Sequence, residues 1–177
     1  MKLYLNGRKL LVWAFIAIVA VSSINLISET RDYLLMYASV DELKFTLSSL
    51  ALQENGPSGA VVIAQIWVDN PVEYGGLQVT VFDLSTFFFS GNSSLFQDRP
   101  LLGTLLKQVL APDRTTIWNL TIPLNPQNAT SLISFYQAHD WKVTANASLS
   151  AEITTAFFNA VTGNPIPYQE HQNVTLT

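Results

Sequence analysis

Five asparagine side chains could each accept an N-linked glycan, because each begins the pattern Asn-X-Ser or Asn-X-Thr without proline at the middle position. They are Asn92, Asn119, Asn128, Asn146 and Asn173. All five follow the one long apolar stretch of the chain, although a chain rich in Asn, Ser and Thr also forms such patterns by chance. Asn92 lies in a predicted turn and Asn173 in a predicted tail, so these two are the strongest candidates for modification.

Acid-base chemistry is the next possibility, because His139 is followed directly by Asp140. Neighbours in sequence seldom face each other, and no third group completes a catalytic arrangement. We therefore expect His139 to lie at the end of a helix. The second histidine, His171, falls in the predicted tail, which leaves a histidine-based metal site without enough ligands. The chain has no cysteine, which excludes disulfides, thiolate nucleophiles and cysteine-bound zinc.

Oxygen ligands for a hard cation occur at Asp69, Asn70 and Asp83. They lack the regular spacing of a calcium-binding loop, and a turn at Asn70-Pro71 is the simpler interpretation. No phosphate-binding loop, nucleophile elbow or pair of carboxylates is recognisable. The sequence therefore predicts a protein that is not an enzyme, with no catalytic residues, no metal and no cofactor.

Three consecutive phenylalanines, Phe87, Phe88 and Phe89, form the most prominent apolar cluster in the chain. In a strand, successive side chains point to opposite faces, so at least one ring must point away from the core. Such a ring is either covered by a neighbouring element or exposed to a partner. The cluster is thus a possible interaction surface.

An apolar stretch from Leu10 to Ile27 has no charged residue, and as a helix it would span roughly 27 Å of hydrocarbon. Basic residues precede it and Glu29 follows, so the positive-inside rule places the start of the chain in the cytoplasm and the remainder outside. We expect a single-pass signal-anchor in the cell membrane. A signal peptide cleaved near Ser22 is the alternative, because small residues surround that position.

Charge limits the partners of the remaining chain. From Glu29 onward six basic residues stand against thirteen acidic ones, a balance of −7. This excess of negative charge repels phosphate backbones, so we expect no nucleic-acid partner. Only 12% of all residues are charged, and hydroxyl and amide groups provide the remaining polarity, as suits an extracytoplasmic domain.

Short apolar or alternating segments separated by turns predict an antiparallel β-sandwich of seven to eight strands with one short helix. The segment 60–68 is almost continuously apolar and predicts a central strand covered on both faces, and the next strand should bury Leu77, Val79 and Val81. The segment 116–124 should bury Trp118. The helix is expected over 129–139, with Asn128 as N-cap.

The closing part of the chain is predicted from alternation. A strand over 141–148 should place Trp141, Val143 and Ala145 on its buried face and Lys142 in solvent. A separate strand should follow over 152–158, and Pro167 should end regular structure.

Across residues 44–167 the order of these landmarks resembles the LEA-2 family, also called the water stress and hypersensitive response (WHy) domain. The resemblance includes Asn70-Pro71 after a valine-rich strand, the turn at Pro112, the strand of Trp118 and the segment Asp140–Val143. This family implies an immunoglobulin-like or fibronectin-III-like sandwich, often after an N-terminal membrane helix. It implies no catalytic residues.

These observations divide the chain into a cytoplasmic stub and transmembrane helix (1–28), a juxtamembrane segment (29–43), a sandwich (44–168) and a tail (169–177). The segment 29–43 either extends the membrane helix or forms a linker packed on the sandwich. The main functional hypothesis is a membrane-anchored, extracytoplasmic, non-catalytic binding or stress-protective module. The alternative is a structural component of a cell-surface assembly, such as an archaeal envelope layer or surface filament, with cell-surface proteins as partners.

Overall fold

Helix α1 is the first element in a computed structural model of the chain, which describes residues 7–55, 59–96, 100–155 and 165–177. The helix runs over 36 residues, Gly7–Glu42. At a rise of about 1.5 Å per residue it is roughly 54 Å long, whereas the hydrocarbon core of a bilayer is about 30 Å thick. Its last turns pack on the sandwich, where Met36 and Ser39 are buried. The helix therefore continues through the segment 29–43, and its last turns also contact the domain.

Eight strands follow among the described residues, and they form two antiparallel sheets. The strands are β1 Lys44–Glu54, β2 Ala60–Asn70, β3 Leu77–Ser90, β4 Ser93–Leu95, β5 Leu101–Val109, β6 Arg114–Pro123, β7 Thr144–Thr155 and β8 Ile166–Thr175. The short helix α2, Pro126–Ala138, lies between β6 and β7. The smaller sheet has the strand order β1-β2-β6. In the larger sheet, β3 pairs with β7 on one side and with β5 and β4 on the other. Strand β8 pairs with the free side of β7. The predicted all-β antiparallel architecture is confirmed.

The core lies between the two sheets and is built from alternate side chains of each strand. Phe45 of β1, Phe82 of β3 and Trp118 of β6 meet at its centre with ring centroids 5.6 to 5.9 Å apart. Full burial of a large apolar side chain stabilises a fold by about 1.5 to 3 kcal/mol, so these contacts across the sheets are a major source of stability. Trp118, Leu120 and Ile122 are buried, as the alternation of β6 predicts.

Strand β2 is central in its sheet but is covered on one face only, which corrects the prediction that both faces are covered. Val62, Ala64 and Ile66 are fully buried between the sheets. The opposite face is partly open to solvent, and Trp67 there is 45% exposed. An apolar run cannot by itself indicate whether a second layer lies on the outer face.

Strand β3 contains a β-bulge that changes which side chains face the core. In its pairing with β7, Val79 faces Ile153 and Val81 faces Glu152, so Thr80 is an extra residue. The bulge places Phe82 and Leu84 on the buried face after Val79. The prediction that Val81 is buried is therefore wrong, because simple alternation does not include the extra residue.

Helix α2 begins earlier than predicted. Asn125, and not Asn128, is its N-cap, because the Asn125 side chain accepts a hydrogen bond from the backbone N–H of Asn128 at 2.8 Å. Pro126 occupies the first turn, where a missing N–H has little cost. The helix ends at Ala138, and Leu132 and Tyr136 are among its buried side chains.

Trp141 lies outside the strand and is 54% exposed, so its predicted burial is wrong. Asp140 and Trp141 have φ angles of +51° and +60°, which form a turn between α2 and β7. The Trp141 ring packs against Tyr136 with centroids 4.7 Å apart. Val143 and Ala145 are buried as predicted. The two predicted strands are one, β7, and the predicted continuation to 158 lies outside the described residues.

Regular structure does not end at Pro167. Strand β8, Ile166–Thr175, pairs with β7 along its whole length, and Leu176 beyond it is buried. Pro167 is tolerated because the strand lies at the edge of its sheet, where a missing N–H removes no ladder bond. The residues assigned to a tail from the sequence thus form part of the sandwich.

Candidate functional site

A shallow depression of about 640 Å³ lies beside the hairpin that joins β3 to β4. Its lining combines aromatic rings with hydroxyl and amide groups and has no charged side chain. The lining residues are Phe87, Phe88, Phe89, Gly91, Asn92, Ser93, Ser94 and Asn146. Its volume is within the range of about 300 to 1,000 Å³ that small-ligand sites occupy.

The three phenylalanines divide between the two faces of β3, as expected for a strand. Phe88 is fully buried, whereas Phe87 and Phe89 lie on the outer face and are half-buried. Phe88 packs against Phe96 with ring centroids 6.2 Å apart. A surface interaction can therefore involve Phe87 and Phe89 only.

The five sequon asparagines occupy different environments. Asn92 is exposed at the tip of the β3–β4 hairpin, Asn119 is exposed on the outer face of β6, and Asn128 is half-buried in the first turn of α2. Asn146 and Asn173 lie on the outer face of the larger sheet, where they are direct partners across β7 and β8.

These last two asparagines bind each other. Asn146 Nδ2 donates a hydrogen bond to Asn173 Oδ1 at 3.0 Å. The nitrogen that a glycan would modify on Asn146 is thus already a donor within the sheet. Sequence spacing did not reveal this pair, because β8 itself was not predicted.

His139 lies at the C-terminal end of α2, as expected from the sequence. Its Nδ1 donates to the carbonyl oxygen of Phe135 at 2.8 Å, and its ring lies 4.3 Å from the Phe135 ring. Asp140 is exposed in the turn that follows the helix. His171 lies on the outer face of β8, opposite Ser148. The two histidines are therefore held by different elements.

The possible cation ligands are also separated. Asp69 accepts a hydrogen bond from Thr115 in the smaller sheet, whereas Asp83 accepts one from Thr104 in the larger sheet. Asn70 is buried at the end of β2 and donates to the carbonyl oxygen of Ala111 at 3.2 Å, so it joins β2 to the turn before β6. Across the part of the chain that the structure describes, no group of three or more His, Asp or Glu side chains could hold a metal.

The edge of β1 is closed by side chains of β8. Gln172 accepts from the Leu47 N–H and donates to the Phe45 carbonyl oxygen, both at 2.8 Å. The Tyr168 hydroxyl accepts from the Phe45 N–H and donates to Glu170. Burial and the hydrogen bond to Glu170 raise the pKa of Tyr168 to about 12.

The edge strand β5 instead presents apolar side chains to solvent. Leu102, Leu106 and Val109 are each more than 60% exposed. Because β5 pairs only with β3 among the described strands, its other edge has free backbone groups near this apolar row. No pattern in the sequence indicates this edge position.

Helix α1 is the one helix in the described residues that is long and apolar enough to cross a membrane. Its side chains from Lys9 to Leu34 are all exposed. Tyr33 and Tyr37 are exposed on this helix beyond the apolar stretch.

No protein-family model and no curated protein matches the chain. Several solved structures are similar to it. A protein from Arabidopsis thaliana is 15% identical with a TM-score of 0.46, covering 75% of this chain and 82% of its own. A candidate late embryogenesis abundant (LEA) protein is 16% identical with a TM-score of 0.43, covering 89% of this chain and 84% of its own. The structural neighbours thus include a candidate LEA protein.

A protein from Archaeoglobus fulgidus is also similar, at 11% identity and a TM-score of 0.41, covering 77% of this chain and 96% of its own. These likenesses concern the fold alone, which the strand pairing described above establishes independently.

Proposed function

We propose that the chain is a membrane-anchored, non-catalytic binding or stress-protective module with its sandwich outside the cytoplasm. The observation that carries the proposal is the change of environment along α1. The apolar side chains from Leu10 to Ile27 are exposed, while Met36 and Ser39 of the same helix are buried against the sandwich. An apolar surface of this length is unfavourable in water and favourable in lipid. One continuous helix is therefore both the anchor and a part of the folded domain.

The orientation follows from charge. Lys2, Arg8 and Lys9 precede the apolar stretch, and Glu29 and Asp32 follow it in the sequence. The positive-inside rule places the basic end in the cytoplasm, and the sandwich then lies outside the cell membrane. This topology also brings all five sequons to the side where glycan transfer occurs.

The protective role rests on the resemblance to the LEA-2 family together with the nature of the surface. The outer face of the larger sheet carries hydroxyl and amide side chains in register, such as Ser85, Ser148 and Asn146. Uncharged polar groups of this kind keep hydrogen-bonding capacity when water is withdrawn. The proposal assigns no catalytic residues to the chain.

A structural role in a cell-surface assembly is the second candidate, and the exposed row of Leu102, Leu106 and Val109 on β5 favours it. An edge strand with apolar side chains can pair with a strand of another protein. In that case the partner would be another surface protein held next to the membrane.

Membrane topology is tested first. Protease added to intact spheroplasts should remove the sandwich, and complete protection would contradict the proposed topology. Intact-mass measurement of the native protein should include the helix, whereas a mature chain beginning near Ser23 would show that the apolar stretch is a cleaved signal peptide.

The two roles are then separated with the native protein in mild detergent. A monomer whose abundance rises on drying, and whose loss lowers survival after drying, supports the protective module. Stoichiometric co-purification with a surface protein, abolished by Leu106→Lys but not by the matched outer-face change Thr121→Lys, supports the assembly.

A further inference from the structure

We infer that Asn92 carries an N-linked glycan and that the first sugar of this glycan packs on the ring of Phe89. The inference rests on the proposed extracytoplasmic location of the sandwich. It identifies which sequon is used there and what the attached sugar contacts.

The hairpin between β3 and β4 presents Asn92 at its tip. Phe89 pairs with Ser94 and Ser90 with Ser93, so only Gly91 and Asn92 form the turn. Gly91 has a φ angle of +55°, which a glycine at the first central position of a two-residue hairpin turn adopts without strain. Asn92 and the sequon hydroxyl of Ser94 are both exposed.

The register places an aromatic ring where the sugar must lie. Directly opposite residues of an antiparallel pair share a face, so the Phe89 ring and the Ser94 hydroxyl are on the same side of the hairpin. Phe87, two residues earlier, extends this aromatic surface. Phe87, Phe89 and Asn92 line one shallow depression with no charged side chain. The apolar C–H face of a sugar ring suits such an aromatic surface, and its hydroxyls suit the amide and hydroxyl groups around it.

None of the other four sequon asparagines lies at the tip of a hairpin beside the phenylalanine rings. Phe89 lies three positions before Asn92. The corresponding positions before the other four asparagines are Thr116, Asn125, Val143 and Glu170, none of which is aromatic. Asn146 is also next to Phe87 across the β3–β7 pair, but its Nδ2 already donates to Asn173. Asn119 is exposed within a strand, opposite Gln65 on the outer face of the smaller sheet, and it is the comparison site for Asn92.

The modification itself needs a donor that the host provides, a polyisoprenyl-pyrophosphate-linked oligosaccharide, and the host transferase. The new bond joins Asn92 Nδ2 to the anomeric carbon of the first sugar. The bond between that carbon and the phosphate oxygen breaks, and the polyisoprenyl pyrophosphate leaves with the electron pair. Nδ2 loses one proton to a base of the transferase.

The experiment uses the full chain, produced in a yeast secretory pathway and purified in mild detergent. Peptide mass mapping gives the occupancy of each sequon, and protease accessibility of the sandwich is measured on the same membranes. Thermal melting compares the wild type with three variants: Asn92→Gln, Phe89→Leu and the double variant. Phe89→Leu keeps an apolar side chain but removes the ring, and Phe89→Tyr, which keeps the ring, is the rescue.

We expect Asn92 to be occupied and the glycosylated wild type to melt about 2 to 4 °C above Asn92→Gln. The melting temperatures of glycosylated Phe89→Leu and of the double variant should differ by less than about 1 °C, because the sugar has lost its aromatic contact. Phe89→Tyr should restore the difference. Phe89→Leu and the double variant carry the same change at position 89, so any direct effect of that change on folding cancels when the two are compared.

Each other outcome overturns a defined step. An accessible sandwich with Asn119 occupied and Asn92 unmodified would overturn this inference and leave the proposed topology intact. A protected sandwich with no sequon occupied would overturn the topology and, with it, the inference. Occupancy of Asn92 with an equal melting difference in both backgrounds would overturn the packing of the sugar on Phe89.

Discussion

The ring of Phe45 in the smaller sheet stacks on the ring of Phe82 in the larger sheet, with centroids 5.6 Å apart and ring planes 27° apart. Both rings are fully buried. This contact joins the two layers of the sandwich at the centre of its core.

We expect Phe45→Ala to lower the free energy of unfolding by about 3 to 5 kcal/mol, because it leaves a cavity between the sheets. Thr46→Ala, at the next position on the partly exposed face of β1, should change it by less than about 0.5 kcal/mol. Urea unfolding of the full chain in mild detergent measures both. Similar losses for the two variants would contradict the assignment of the β1 faces.

Alternation in the sequence was sufficient to predict β6 and the burial of Val143 and Ala145 next to and within β7, because one face of each segment meets the core and the other meets solvent. It failed where the period of two is interrupted. The extra residue Thr80 in β3 moves Val81 away from the core, and a bulge of this kind leaves no clear mark in a single sequence. The prediction that Trp141 is buried in a strand failed for a related reason, since a residue with positive φ does not continue the strand pattern.

The two tryptophans next to predicted strands should therefore differ in their effect on stability. Trp118 is 6% exposed and contacts Phe45 and Phe82, whereas Trp141 is 54% exposed and contacts Tyr136. We expect Trp118→Ala to cost about 3 to 5 kcal/mol and Trp141→Ala about 1 kcal/mol, the value of one aromatic contact. Urea unfolding midpoints compare the two directly. A larger loss for Trp141→Ala would show that its ring is buried.

A close approach between the two sheets predicts the effect of a single methyl group. A Cβ added at Gly103 would lie 2.7 Å from side-chain atoms of both Leu120 and Ile122. We expect Gly103→Ala to cost about 1 to 3 kcal/mol through overpacking. Gly75→Ala is the matched control, because its Cβ would meet only Pro112 at an ordinary 3.7 Å. If both variants unfold at the wild-type midpoint, β5 and β6 are further apart than the structure places them.

The candidate site was only partly predictable. The sequon at Asn92 and the three phenylalanines are visible in the sequence, but their common depression depends on the register between β3 and β4. Strand β8 was missed because its residues are mostly polar and include Pro167. It pairs with β7 along its whole length, and two hydrogen bonds between Gln172 and the backbone of β1 join residues more than 120 positions apart, which no local pattern can indicate.

The Tyr168 hydroxyl makes the closure between β1 and β8 sensitive to alkaline pH. Burial, followed by the hydrogen bond to Glu170 and its negative charge, raises the pKa of Tyr168 from about 10 to about 12. The folded state thus favours the neutral phenol, whereas the unfolded chain releases the proton near pH 10. The stabilisation is complete below pH 10 and should be lost as the pH rises from 10 to 12.

Tyr168→Phe is the decisive variant, because it removes the titrating hydroxyl and keeps the ring on Phe45, whose centroid lies 4.6 Å away. We expect this variant to be less stable than wild type at pH 8, since it loses the hydrogen bond that the Tyr168 hydroxyl donates to Glu170. Between pH 10 and 12 its stability should fall less steeply than that of wild type. Melting temperatures at pH 8, 10, 11 and 12 give the two slopes, and Tyr74→Phe, which leaves the Tyr168–Glu170 pair in place, should follow the wild-type slope. Parallel curves for Tyr168→Phe and wild type would mean that Tyr168 has the same pKa in the folded and unfolded chain.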